Sequence, residues 1–248
     1  MKQMFAGIMI LLLSACASDS DVPPGVDLKE AARINAQLGV DYMRKGQMDL
    51  ALGKLKRATS QDPENALAHS SLAFCYTKML EPELAEREYR RALALEPDSG
   101  AIRNNFGVFL CGQDKAVEAR RLLLDAANDK SYSTPEAAWT NAGVCARRQK
   151  DLETAESDFR EALKLNAEFP DALAQMADIT YYRKDYMRAR AFLQRYMVVA
   201  PATPATLWIG LMTERKLGDF SAARQFEKRL KRDFPESEEA NTLKTYKK

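Results

Sequence analysis

The chain has 248 residues, and its 37 Lys and Arg nearly balance its 35 Asp and Glu for a formal charge of +2, which excludes the general basic excess that nucleic-acid binding draws on. Hydrophobic residues at 46% and charged residues at 29% describe a chain that folds, and only 11 Gly and 10 Pro favour helices with short connections over a sheet with many tight turns. One histidine, His69, and four cysteines without a C-x-x-C pair leave too few ligands for a zinc or haem site, so neither metal nor cofactor is expected.

The amino terminus reads as an export signal. Lys2 precedes ten apolar residues, 4–13, which as a helix rise about 15 Å, roughly half the hydrocarbon thickness that a membrane span must cross. Leu13, Ser14, Ala15 and Cys16 resemble the lipobox of bacterial lipoproteins, in which small side chains admit the peptidase and the cysteine sulfur receives diacylglycerol. Cys16 would then be the mature first residue, and several acyl chains on it a firm anchor. Ordinary cleavage after Ala17, which also closes a small-x-small triplet, is the alternative and would discard Cys16. By resemblance to lipoprotein sorting rules, Ala17 points to the outer membrane. Residues 1–15 are thus read as signal peptide, and 16–31 as the lipidated cysteine, a polar tether and the start of the first helix.

The remainder repeats itself. Pro63 and Pro97 are 34 residues apart, as are Pro201 and Pro235, and 34 is the tetratricopeptide period. The first unit shows Leu38, Gly39, Tyr42, Ala51, Leu55, Ala58 and Pro63; the second shows Leu72, Ala73, Tyr76, Ala85, Tyr89, Ala92 and Pro97 at the same offsets. Small residues let two helices approach closely, bulky ones fill the space toward the next pair, and the proline stops the second helix. The third unit, with Phe106 and Gly107, runs two residues long to Pro135. The fourth carries Trp139, Gly143 and Phe159 with its stop displaced to Pro170, the fifth Met176 and Ala177, and in the sixth Gly210 and Leu211 reverse the usual large-then-small order. The expected fold is all-α, a right-handed superhelical solenoid of six tetratricopeptide helix-turn-helix units at 32–65, 66–99, 100–135, 136–169, 170–203 and 204–237, closed by a polar helical tail at 238–248.

In such a solenoid the first helix of each unit lines the inner groove through its second, fifth, ninth, twelfth and thirteenth positions. The expected partner-binding residues are Arg33, Ala36, Val40, Met43 and Arg44 in unit one, Leu67, Ser70, Phe74, Thr77 and Lys78 in unit two, and Asn104 and Val108 in unit three. Val40, Phe74, Val108 and Val144 share the ninth position, which predicts a continuous apolar strip rimmed by Arg44, Lys78, Arg147 and Arg148 and suited to a peptide or an amphipathic helix. In the last two units, Asp178, Tyr181, Tyr182, Trp208, Met212 and Arg215 form either a second contact surface or a capped core.

No catalytic constellation emerges. Gly107 and Gly112 have phosphate-loop spacing, but Gln113 and Asp114 stand where such a loop needs Lys and Ser or Thr. His69 lacks a nucleophile and companion ligands. The carboxylate pairs Glu86 with Glu88 and Glu153 with Glu156 read as solvated helix faces. Cys75, Cys111 and Cys145 remain in the mature chain, either as two bridged residues and one free or as three small buried hydrophobes.

A lipobox, a short acidic tether and six units filling the rest, with Asn104, Asn105, Phe106 and Gly107 and then Trp139, Thr140, Asn141, Ala142 and Gly143, resemble the PilF/PilW family of type IV pilus biogenesis lipoproteins, pilotins of the secretin. The resemblance implies attachment to the periplasmic face of the outer membrane and binding of a PilQ-like secretin subunit. It further implies help in that subunit's localisation and multimerisation, and so in pilus biogenesis and twitching motility. It also implies contact through the amino-terminal end of the groove and a disulfide between Cys111 and Cys145. The expected role is non-enzymatic, with the secretin subunit and the membrane as partners, no nucleic acid, and a monomeric free chain. A periplasmic scaffold recruiting cell-wall enzymes is the alternative.

Overall fold

Small residues spaced by one period decide how this chain packs. The computed structural model describes residues 27–245, and within them the chain forms thirteen helices and no strand: α1 (Leu28–Arg44), α2 (Met48–Gln61), α3 (Ala66–Lys78), α4 (Pro82–Leu95), α5 (Gly100–Gly112), α6 (Ala116–Ala127), α7 (Pro135–Arg148), α8 (Leu152–Leu165), α9 (Pro170–Tyr182), α10 (Tyr186–Val199), α11 (Pro204–Leu217), α12 (Phe220–Asp233) and α13 (Glu238–Thr245). Successive helices pair as hairpins, each hairpin packs on the next, and the odd-numbered helices α1, α3, α5, α7, α9 and α11 lie side by side. This is a tetratricopeptide-like solenoid.

Within a hairpin, contact is closest where the first helix carries glycine. A methyl group on Gly39 would fall 2.5 Å from Leu55, on Gly107 2.7 Å from Leu123, on Gly143 2.5 Å from Phe159 and on Gly210 2.5 Å from Phe226. The large residue follows its glycine by sixteen positions in every case. This corrects the expected reversal in the sixth unit: Ile209 and Gly210 keep the large-then-small order, and the contact glycine has moved one residue ahead of the 34-residue frame.

The prolines divide into two roles. Pro63, Pro97, Pro201 and Pro235 each stand two residues beyond the end of a second helix. Pro170 is not a displaced stop. It opens α9, as Pro82, Pro135 and Pro204 open their own helices, in the first turn where a missing amide donor costs nothing; α8 has already ended at Leu165. The two additional residues of the third unit are accommodated by Tyr132, which packs beside Gly100 and with Trp139.

The turn inside each hairpin has one left-handed residue: Gly46, Leu80, Asp114, Lys150, Lys184 and Gly218, all with φ between 59° and 79°. The largest core joins the first four units, where Tyr89 stacks on Phe106 and tilts against Phe109. At the carboxyl end α13 buries Ala240 and Leu243 against Leu207, Leu211 and Leu230.

Two carboxylates read as solvated are buried. Glu88 receives a 2.7 Å hydrogen bond from His69 Nδ1, and Glu156 pairs with Arg160, Arg183 and Arg188. Glu88 has the His69 imidazole across its hairpin and Arg87 beside it, and Glu156 has three guanidinium groups, and such partners are what make burial of a carboxylate tolerable.

Candidate partner-binding groove

The amino-terminal half of the concave side holds an open groove of about 580 Å³ shared by α1, α3 and α5. Along α3 it takes Leu67, Ser70, Ser71, Phe74 and Lys78, spaced so that they fall on one face of a helix. From α1 come Val40, Met43 and Arg44, with Met48 at the start of α2, and from α5 come Ala101, Ile102 and Asn105, with Glu96 and Ser99 before it. The floor is aliphatic and aromatic. Phe74 and Leu67 are 40% and 55% exposed, well above what an unoccupied core position would show. Lys78 Nζ sits 5.2 Å from the centre of the Phe74 ring, a cation–π contact at the rim, and Arg44 pairs loosely with Asp41 at 3.5 Å.

Seven of the residues expected from the sequence line this groove: Val40, Met43, Arg44, Leu67, Ser70, Phe74 and Lys78. Five do not. Ala36 is fully buried against Ala58 and Ala68 at the seam between the first two hairpins. Asn104 is buried, its side-chain oxygen accepting 2.9 Å from Asn141 Nδ2. Arg33 is exposed and turned to Glu30. Thr77 donates its hydroxyl to the Ala73 carbonyl and borders a separate small hollow with Leu80, Pro82, Phe109 and Gln113. Val108 is exposed outside the groove. The continuous strip also shortens, because Val144 packs against the core around Phe159 and Met176. Ser71 and Asn105, both at the sixth position of a first helix, were missed; their recurrence one period apart was the available signal.

Farther along, the arrangement closes. Arg147 pairs with Asp178, whose carboxyl is pushed up by burial against the opposing pull of that guanidinium. Met212 is buried, Trp208 packs into the cores around Leu207 and Ile209, and Tyr181 lies edge-on to Tyr182. These units supply core more than a second groove. A hollow of about 700 Å³ beside α11 and α12 is larger than the amino-terminal groove, and in it Arg215, Arg224, Lys228, Lys231 and Glu227 surround Phe220 and Ala223, so charged side chains outnumber apolar ones in its lining. Cys111 and Cys145 are joined by a disulfide between α5 and α7, with Cα atoms 5.7 Å apart, and Cys75 is free and buried. Cys16 lies outside the described residues. Among the described residues no group of three or more His, Cys, Asp or Glu is placed to hold a metal ion, and no helix is long and apolar enough to cross a membrane.

Comparison with known proteins agrees with this architecture. Residues 136–169 match the family described as tetratricopeptide repeat. The chain is 31% identical over 240 residues to the type IV pilus assembly protein PilF of Pseudomonas aeruginosa, covering 94% of each. A solved structure of Pseudomonas aeruginosa PilF superposes with a TM-score of 0.77 at 30% identity, over 89% of this chain and 99% of that one. A crystal structure of PilW, described as a widely conserved type IV pilus biogenesis factor, gives 0.77 at 30% identity over 86% and 97%. With the relation extending over nearly the whole length, including the groove-bearing units, the chain belongs to the PilF/PilW family of type IV pilus biogenesis tetratricopeptide proteins.

Proposed function

We propose that this protein is an outer-membrane lipoprotein adaptor that binds the secretin subunit of the type IV pilus machinery and promotes its localisation and multimerisation. The observation that carries the proposal is the open groove across α1, α3 and α5, with Phe74 and Leu67 exposed on its floor in a member of this family. A partner's apolar segment laid there would cover the 40% of Phe74 and 55% of Leu67 that remain exposed, each contributing about half of the roughly 1.5–3 kcal/mol that burial from full exposure gives. Arg44 and Lys78 at the rim would favour a segment flanked by acidic residues. The lipobox ending at Cys16 supports anchoring to the periplasmic face, where the tether raises the local concentration of whatever the groove holds. In this reading no covalent bond is made or broken.

Capture of purified secretin subunit by the mature chain tests the reading. Phe74→Asp is expected to weaken capture by about tenfold or more, from the lost burial of the ring together with the cost of covering a carboxylate, with helical circular dichroism unchanged. Equal capture with intact helicity would show the groove assignment to be wrong. Cys16→Ser is expected to release the protein to the soluble periplasmic fraction, and unchanged membrane fractionation would defeat the anchor.

A further inference from the structure

The two ends of the solenoid are finished differently. The carboxyl end is covered by α13, whereas no helix among the described residues precedes α1. The repeat itself shows which side chains this leaves uncovered. At the third position of the first helix, Ala68, Ile102, Ala138 and Ala172 are 0–4% exposed, and at the seventh, Leu72, Phe106, Ala142 and Met176 are 0–3% exposed. The same positions in unit one hold Ile34 and Leu38, which are 47% and 37% exposed. In units three and five the nineteenth position reaches back to the preceding unit through an ion pair, Glu118 to Arg90 and Arg188 to Glu156; in unit one it is Leu50, 53% exposed. The fourteenth position reaches back in unit five, Arg183 to Glu156, and the twenty-third in unit four, Asp158 to Arg120; in unit one they are Lys45 and Lys54. The carboxylate on this face, Asp41, is engaged by Arg44 at 3.5 Å.

A face built for contact therefore carries three aliphatic side chains and two ammonium groups where every later unit has a neighbour. Three half-exposed aliphatic groups fall far short of the roughly 800 Å² per partner that a stable dimer buries. The chain outside the structure supplies the stronger argument. Only residues 17–26 separate Cys16 from Asp27, a contour of at most about 40 Å, so a lipid on Cys16 holds this end, and not the α13 end, beside the bilayer. We infer that the amino-terminal face docks on an anionic lipid surface, Ile34, Leu38 and Leu50 entering the interface and Lys45 and Lys54 meeting phosphate headgroups. The inference rests on the lipid-anchor reading of Cys16. It sets the groove, which begins on the same helix at Val40 and Met43, at the membrane surface.

Lipidated full-length chain carrying Leu38→Trp, reconstituted in phosphatidylethanolamine and phosphatidylglycerol vesicles with brominated acyl chains, provides the test. Fluorescence quenching in excess of the parent chain, which has Trp139 and Trp208, is compared with Val198→Trp, a site 84% exposed on α10. Docking requires several-fold stronger quenching at residue 38 than at 198. Leu50→Trp must report the same, and replacement of both lipids by phosphatidylcholine, or Lys45→Glu with Lys54→Glu, must weaken it several-fold. Chain that floats with the vesicles but is quenched equally at 38 and 198 overturns the docking and leaves the anchor standing. Chain that does not float overturns both. A dimer in sedimentation that Leu38→Asp dissolves would assign the face to a second copy and overturn the lipid reading.

Discussion

Glu88 is a carboxylate taken out of water and compensated on the spot. His69 Nδ1 approaches it at 2.7 Å while the same ring's Nε2 lies 3.2 Å from the Pro63 carbonyl. The hydrogen bond from His69, seconded by Arg87, holds the Glu88 carboxyl below its ordinary range against the opposing effect of burial. A carboxyl depressed in the folded state stabilises the fold above the unfolded value, about 4.3 for Glu, and loses that contribution as pH falls through the lower folded value. Glu88→Gln is therefore expected to cost about 1–2 kcal/mol at pH 7, with the difference shrinking below about pH 4. Denaturant unfolding across that range checks it, and a difference that stays constant would refute the linkage. In the sequence Glu88 resembles any solvated helix charge, because what distinguishes it is that it faces His69 from the other helix of its own hairpin. Gly143 shows the opposite balance. Alanine there would gain up to about 1 kcal/mol of helix propensity but place a methyl 2.5 Å from Phe159, an overpacking worth about 1–3 kcal/mol. Gly143→Ala should lower the melting temperature, whereas Gly53→Ala, with nothing within 4 Å, should raise it.

At the scale of elements, the helices were legible and their turns were not. Small residues at fixed offsets and proline stops announce hairpins. The left-handed turn residue, however, is Gly, Leu, Asp, Lys, Lys and Gly in successive units, so residue type carries no consistent signal. Packing of the two helices imposes that conformation whatever residue stands there. Leu80 is the severest case, a branched residue at φ 61° and 86% exposed. A left-handed conformation costs an L-residue about 1–2 kcal/mol, against about 0.5–1 for the extra chain entropy of glycine. Leu80→Gly should thus stabilise by up to about 1 kcal/mol and raise the melting temperature by a few degrees, while Asp114→Gly should gain less because Asp adopts this conformation more readily. An unchanged or lowered temperature for Leu80→Gly would show that its side chain contributes packing of greater worth. The groove was legible at the ninth and thirteenth positions of the first two units, and at the second position only in unit two. The fifth position failed at Ala36 and Asn104 because it lies at a seam, where a slight rotation of the helix turns a side chain from the groove into a neighbour.

For the whole molecule, the period carried the architecture, since a 34-residue recurrence with matching side-chain sizes has few other physical solutions. What it could not convey is where the superhelix stays open: the apolar ninth positions look alike in sequence, yet Phe74 is exposed and Val144 is packed. Nor could it convey how evenly the units are tied together. The bond between Cys111 and Cys145 joins two first helices 34 residues apart at the middle of the array. Under a load applied to the two ends, hairpins outside that bond can unravel completely, but the strand between the two sulfurs is withheld. The oxidised molecule should therefore lengthen by about 110 Å less than the reduced one before it becomes taut, a difference that single-molecule stretching reads directly. A protein of this design would have a tensile stop at its centre and compliant ends.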